Sequence, residues 1–284
     1  METMRDIQRR IDSVENTKKI TRAMKMVASA KLKKAQNKAE KSRPFFNKTR
    51  NILADIVKNT RDLQQHPLLV QREGNRHLFI TIGGDRGLCG AYNNKIIDKA
   101  EACVQSNQEA SLLIIGKKIR NYFKRRDYEI ISEYVEINDY PGFDFARTIG
   151  QEVITLFKKD MIDKVSLIYT HFNSAISQTI KSISLLPVTS PKREQKNQVE
   201  YIYEPSPGEI LDVLLPKYVN NVIYSALLES KASEFGSRMT AMDSATDNAE
   251  EMIEDLTLSY NRARQAAITK EITEIVGGAE ALEE

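Results

Sequence analysis

Apolar or small residues open the chain at helical spacing. Ile7, Ile11, Val14, Thr17, Thr21, Met24, Ala28, Lys31/Leu32 and Ala35 follow one another at steps of three or four, which places them on one face of a helix. No Gly or Pro interrupts residues 1–43, so the pattern predicts one long helix, about 60 Å over residues 3–43 at 1.5 Å per residue. Pro44 is predicted to kink or interrupt it. The far end of the chain reads the same way. Ser206-Pro207-Gly208-Glu209 is a capping box with proline in the first helical position, and Pro216 predicts a kink. From Lys217 to Val276 the only breaker is Gly236, so a continuous helix there reaches about 90 Å. Gly277-Gly278 predicts the stop. Ala226, Ser230, Ser233, Ser237, Ala241, Ser244, Asn248 and Met252 form one stripe of mostly small residues, along which another helix can come close.

Between the two helical segments the pattern alternates. Residues 76–83 (RHLFITIG), 111–116 (SLLIIG), 164–172 (KVSLIYTHF) and 179–188 read as strands. Residues 91–106, 117–126 and 143–159 read as helices. Such alternation predicts an α/β sheet with crossover helices. The polar run 189–200 (TSPKREQKNQVE) reads as an exposed loop. Three segments follow: an N-terminal helix over 1–57, a central Rossmann-like α/β domain over 58–207 and a C-terminal helix over 208–284.

Charge adds a relation between the ends. Residues 1–57 carry a net +9 and residues 208–284 a net −9, although the whole chain is only +3. A helix near 90 Å cannot fold inside a domain of ordinary size, and alone it cannot bury its stripe. The other end of the chain, of opposite charge, is the nearest mate. An antiparallel two-helix coiled coil with the middle domain at its base is the expected architecture. Its stripe is poorer in Leu and Ile than a self-sufficient coiled coil requires, so the rod is either marginal or sleeved by other chains. Between Glu15 and Glu40 stand eight basic residues (Lys18, Lys19, Arg22, Lys25, Lys31, Lys33, Lys34 and Lys38) and no acidic one. They read as a solvated face matched to the acidic helix, as a docking surface for an acidic protein, or as a nucleic-acid surface. No aromatic residue lies within 11–44, which argues against base stacking.

Composition excludes several classes. No apolar run approaches the length of a membrane span. Arg5, Arg9 and Arg10 precede no apolar stretch, so the start is no secretory signal. Cys89 and Cys103 are the only cysteines and read as thiols rather than a disulfide framework. His66, His77 and His171 are scattered, which disfavours a histidine-built metal site.

One motif could be enzymatic. Gly83-Gly84-Asp85-Arg86-Gly87-Leu88-Cys89-Gly90 follows a strand and opens a helix, where backbone N–H groups could meet a phosphate. Its spacing matches neither glycine-rich nucleotide fingerprint. A structural turn in which Asp85 and Arg86 pair and cap the helix is the competing reading, and Cys89 has no accompanying histidine to activate it. Gly116-Lys117-Lys118 is a weaker version of the same signal. No residues in the chain assemble a nucleophile, a base and an oxyanion donor.

Residues 9–14 (RRIDSV), 17–31 (TKKITRAMKMVASAK), 84–90 (GDRGLCG), 201–205 (YIYEP), 237–242 (SRMTAM), 245–249 (ATDNA) and 260–279 (YNRARQAAITKEITEIVGGA) together resemble the gamma subunit of F-type, bacterial-type ATP synthase over essentially the whole chain. The resemblance implies a rotary shaft: terminal helices coiled inside a ring of three alpha and three beta subunits, and an α/β foot that binds the epsilon subunit and the membrane ring of c subunits. Proton-driven rotation of that ring would then drive ATP synthesis, or run in reverse with hydrolysis, at sites on other chains. The chain itself would hold no catalytic residue, cofactor or metal; Mg-ATP and Mg-ADP would sit on alpha and beta. It would lie on the cytoplasmic face of the bacterial plasma membrane, peripheral and without direct insertion. By motif, Met24, followed by Lys25 where many members are acidic, matches the position facing the beta-subunit lever. Arg238, Gln265 and Thr269 match polar contacts to the ring, and Tyr201, Tyr203 and Glu204 match the foot near epsilon and the c ring. The residues also allow Met24 as coiled-coil filler, Arg238 as a solvated intrahelical pair and the tyrosines as cover for the sheet edge. Residues 189–207 lack cysteine, so the thiol regulation of plastid members is not expected. A coiled-coil nucleic-acid binder is the alternative from another class, and a nucleotide-dependent enzyme on the middle domain is a third.

Overall fold

The computed structural model describes residues 3–59, 66–189, 204 and 206–283. The chain divides into two compact units. One comprises Met1–Val27 with Met239–Glu284, the other Ala28–Arg238. Two helices contribute to both units: α1 (Met4–Asn59) and α5 (Pro207–Glu283).

The larger unit is built on a five-stranded sheet. Its strands are β1 (His77–Ile82), β2 (Ala110–Ile115), β3 (Ile130–Tyr134), β4 (Lys164–Phe172) and β5 (Gln178–Leu186), in the order β3-β2-β1-β4-β5. The first four run parallel and β5 pairs antiparallel with β4. Helices α2 (Tyr92–Gln105), α3 (Lys117–Phe123) and α4 (Phe143–Lys158) make the crossovers. Successive side chains on a strand face opposite ways, and this sorts the core into two layers. Leu78, Ile80 and Ile82 of β1, Leu113 and Ile115 of β2, and Val165, Leu167 and Tyr169 of β4 pack with Ile149, Val153 and Phe157 of α4. Leu215, Val219 and Ile223 of α5 join the same layer. Phe79, Leu112, Ile114 and Ile168 point to the other layer, with Ile96 and Ala100 of α2 and Ile119 and Phe123 of α3. The predicted α/β sheet with crossover helices is therefore observed. β3 is the strand that the sequence reading missed: its residues alternate half-buried and exposed, so no apolar run marks it.

The smaller unit is an antiparallel helix pair. Lys18 meets Glu250, Thr21 meets Thr246 and Lys25 meets Asp243, so later residues of α1 face earlier residues of α5. The covered residues of α5 include Met242, Thr246, Ala249, Ile253, Leu256, Tyr260, Ala263 and Ala267, at alternating steps of four and three. Along α1 in this unit the covered positions include Ile7, Ile11, Val14, Lys18, Thr21 and Lys25, at the same steps. A 3.5-residue period is the coiled-coil seam.

Several expectations are corrected. Thr17 is exposed and Lys18 occupies the seam. The predicted small-residue stripe on α5 is covered from Ala226 to Ala241, but Ser244, Asn248 and Met252 are exposed. Its mean step is longer than 3.5, so it drifts round the helix away from the seam. Pro44 does not interrupt α1. It lies on an exposed position, as does Glu40 one turn earlier, so water can meet the carbonyl that the missing N–H leaves free. Pro216 lies inside α5, where a proline kinks a helix rather than ending it. Gly277 and Gly278 do not stop α5, which continues to Glu283.

Candidate functional surfaces

On the helix pair, the basic stretch is engaged by the acidic helix. Lys18 Nζ lies 2.8 Å from Glu250 Oε1, and this hydrogen bond with its charge holds the Glu250 carboxyl below the usual carboxylate range. Lys25 Nζ pairs with Asp243 Oδ1. Between them, the Thr246 hydroxyl donates to Thr21 Oγ1 at 2.9 Å. Met24 is half-buried, and Gln265 and Thr269 are exposed. The sequence reading did not single out the apolar groups on the outer surface: Ile20, Met26 and Val27 are each more than half exposed. Their signal was present, because they fall outside the seam. Past Ala267, residues 268–279 are all exposed. They include Ile268, Ile272, Ile275 and Val276, at spacings that place them on one side of the helix.

In the larger unit, the glycine turn is tied down by its own neighbours. Gly84 N–H donates to Asn93 Oδ1 at 2.9 Å, and Asn93 Nδ2 donates to Arg86 O at 3.3 Å. The Asp85 carboxylate does not cap α2. It accepts from the backbone N–H groups of Lys117 (2.9 Å), Glu136 (3.1 Å) and Ile137 (2.9 Å), so it caps α3 and clamps the connection after β3. Gly116 is required here. It sits at φ +117°, and a Cβ would lie 2.6 Å from the carbonyl oxygen of Gly83, a clash in a backbone region that favours glycine. The N–H groups of Gly84 and Lys117 are therefore committed to side chains, and that of Lys118 to the Gly84 carbonyl. Burial pushes the Cys89 thiol above its ordinary value, with the Arg238 charge opposing it.

The turn rests on a buried ionic triad of α5. Glu234 Oε1 accepts from Arg238 Nη2 at 2.8 Å, and Glu234 Oε2 accepts from Lys231 Nζ at 3.1 Å. The three side chains are 4%, 12% and 7% exposed. Arg238 Nη2 also donates to Gly87 O at 3.2 Å, so its guanidinium is engaged within the unit. Lys31 of α1 pairs with Asp139 at 2.6 Å, and Lys34 and Lys38 lie over the Tyr140 ring at 4.5 and 5.6 Å. Met24, Lys25, Gln265 and Thr269 thus lie in the smaller unit and Arg238 in the larger. Glu204 is exposed. Tyr201 and Tyr203 lie outside the described residues.

Solved structures share this framework. A chain in the cryo-EM structure of the Tetrahymena thermophila mitochondrial ATP synthase central stalk and c ring matches with a TM-score of 0.64 at 29% identity, over 80% of this chain and 99% of that one. A chain of the Euglena gracilis mitochondrial ATP synthase matches in fold with a TM-score of 0.70 at 16% identity, over 98% of this chain and 94% of that one. Long terminal helices with a mixed α/β sheet are thus the fold of chains found in ATP synthases. The ATP synthase family model matches residues 3–282. The ATP synthase gamma chain of Halothermothrix orenii is 60% identical over 99% of this chain and all of its own length. The chain belongs to the ATP synthase gamma chain family. The nucleic-acid alternative gains no support: Lys18, Lys25 and Lys31 are held by carboxylates of the same chain. Among the described residues, no helix is long and apolar enough to cross a membrane.

Proposed function

We propose that the chain is the central rotor shaft of an F-type ATP synthase. It couples proton-driven rotation of the membrane c ring to ATP synthesis, or the reverse, at sites held by other subunits, and it is not catalytic itself. Family membership supports the reading. The structural observation that carries it is the end of α5. Residues 268–279 expose Ile268, Ile272, Ile275 and Val276, an apolar face that no described residue of this chain covers and that partner chains would. Three alpha and three beta subunits would supply that sleeve, with the epsilon subunit and the c ring meeting the sheet domain on the cytoplasmic side of a bacterial plasma membrane. Met24, Lys25, Gln265 and Thr269 are the proposed contacts to the ring, whereas the Arg238 guanidinium expected among them is engaged by Glu234 and Gly87; Tyr201, Tyr203 and Glu204 are the proposed contacts to epsilon and the c ring. No cofactor is assigned to this chain. Since Lys25 is paired with Asp243, that pair would present a compensated charge to a passing lever. Such a contact stays weak, about 0–1 kcal/mol for an exposed pair, which suits contacts that must break at every third of a turn.

The test is ATP hydrolysis by purified alpha and beta subunits of the same organism, with and without this chain. A large gain in sustained hydrolysis, with one copy retained per three beta subunits, is expected. No gain and no retention would overturn the reading.

A further inference from the structure

Within the larger unit, the glycine turn, the residues after β3 and both long helices form a closed circuit of polar contacts. Residues 135–140 run as a strap from the end of β3. The Asp85 carboxylate holds the near end of the strap, with Oδ1 accepting from Glu136 N–H at 3.1 Å and Oδ2 from Ile137 N–H at 2.9 Å. Glu136 sits at φ +58°, a region that residues other than glycine seldom adopt, so the contacts around it fix the bend. At the far end, Asn138 Oδ1 accepts from Tyr140 N–H at 3.0 Å. Asp139 then reaches Lys31 of α1, and Tyr140 lies beneath Lys34 and Lys38 of the same helix. Both also meet α5 at Phe235, whose ring is 6.3 Å from the Tyr140 ring and 5.8 Å from Lys31 Nζ. Burial works to raise the Asp139 carboxyl, but Lys31, Lys231 and Arg86 together hold it below the ordinary carboxylate range. The circuit closes through Arg238 of α5, which donates to the carbonyl of Gly87 in the glycine turn at 3.2 Å.

These contacts differ in kind from those that hold the helices elsewhere in the unit. There α1 and α5 are buried through apolar side chains such as Leu53, Ile56, Val219 and Ile223. Apolar burial is non-directional, so it resists separation of a helix more than rolling about its axis. Hydrogen bonds weaken steeply when their angle is lost, so they resist the roll. Lys31 and Arg238 stand close to the limits of the larger unit, which begins at Ala28 of α1 and ends at Arg238 of α5.

We propose that Asp85 is a positioning residue for torque transfer: by fastening the strap to the glycine turn, it completes a collar that fixes the roll of both helices against the sheet domain. This role rests on the shaft reading.

The experiment fixes the assembled alpha and beta ring to a surface, attaches a bead to the sheet domain of this chain, and records the bead's angle while ATP drives rotation. The angular variance within a dwell reads the torsional stiffness between bead and ring. Asp85→Ala should roughly double that variance, because α1 is then held by packing alone, and should leave unloaded ATP hydrolysis at the wild-type rate. Lys31→Met combined with Tyr140→Ala cuts the strap from α1 while leaving Asp85 its donors. It should give the same increase, and it decides alone if the Asp85→Ala chain does not assemble. Asp85→Asn, which keeps one accepting oxygen, should fall between. In the purified full chain, the amides of Glu136 and Ile137 should exchange about tenfold faster in Asp85→Ala. Variants that lose melting temperature but rotate with wild-type variance would overturn the collar, as would unchanged exchange at Glu136 and Ile137. A wild-type bead that does not rotate would overturn the shaft reading and this role with it.

Discussion

Replacing Glu234 by Gln tests the triad that seats the glycine turn on α5. The substitution keeps the size of the side chain and removes its charge. It leaves the ammonium of Lys231 and the guanidinium of Arg238 facing one another at sites only 7% and 12% exposed. Removing one partner of a buried ionic group costs about 3–5 kcal/mol, because the remaining charge is neither hydrated nor paired. The larger unit, Ala28–Arg238, has about 200 residues, for which the entropy of unfolding is near 0.4 kcal/mol/K. The melting temperature of the chain should therefore fall by about 7–12 °C. Urea unfolding followed by circular dichroism gives the free energy independently. The control is the triple variant Lys231→Met, Glu234→Leu, Arg238→Met. It removes every charge together and should recover most of the loss, short of about 1 kcal/mol for the donor withdrawn from the Gly87 carbonyl. A Glu234→Gln loss below about 1 kcal/mol, or a triple variant no more stable than the single one, would refute the reasoning.

Three further outcomes follow from the same contacts. Gly116→Ala places a Cβ 2.6 Å from the Gly83 carbonyl oxygen at φ +117°; strain and clash together should cost about 3 kcal/mol or more by urea unfolding. Asp163 accepts from the Arg76 side chain at 2.7 and 2.9 Å, which holds its carboxyl below the ordinary range. A depressed carboxylate stabilises fully above its unfolded value near pH 4 and loses that stabilisation as the pH falls further. The stability gap between the native chain and Asp163→Asn should therefore be constant near neutrality and close below about pH 4. Finally, neutralising Lys18, Lys19 and Lys25 together to Gln should lower proton pumping per ATP hydrolysed in the assembled complex more than it lowers assembly. Loss of assembly with unchanged coupling in the remaining complex would show that the two ion pairs serve only to hold the helix pair.

The helices and most strands were legible because periodicity is a local property. The spacing from Ile7 to Ala35 and the runs 76–83, 111–116 and 164–172 predict elements close to α1, β1, β2 and β4. The opposite charges of the two ends also named the mate, since Lys18 and Lys25 do meet Glu250 and Asp243. An interruption at Pro44 and a stop at Gly277-Gly278, each read from a local breaker, do not occur. A proline or a glycine pair carries a local cost of about 1–3 kcal/mol, which residues of the larger unit buried beyond Pro44, such as Leu53 and Ile56 in the core of the sheet domain, outweigh in α1. β3 was out of reach for a different reason: its alternation is half-buried, and pairing with β2 alone makes it a strand.

The candidate surfaces divide in the same way. The sequence by itself determined the glycine turn, the basic stretch and the long helix rich in small residues, because each is a run of neighbours in the chain. Only the tertiary structure decided where their polar groups go. Asp85 reaches backbone N–H groups 32, 51 and 52 residues away, Lys31 finds Asp139, and Arg238 turns inward to Gly87. These partners are chosen by burial, which obliges each charge and each backbone donor to find an acceptor wherever the folded chain provides one.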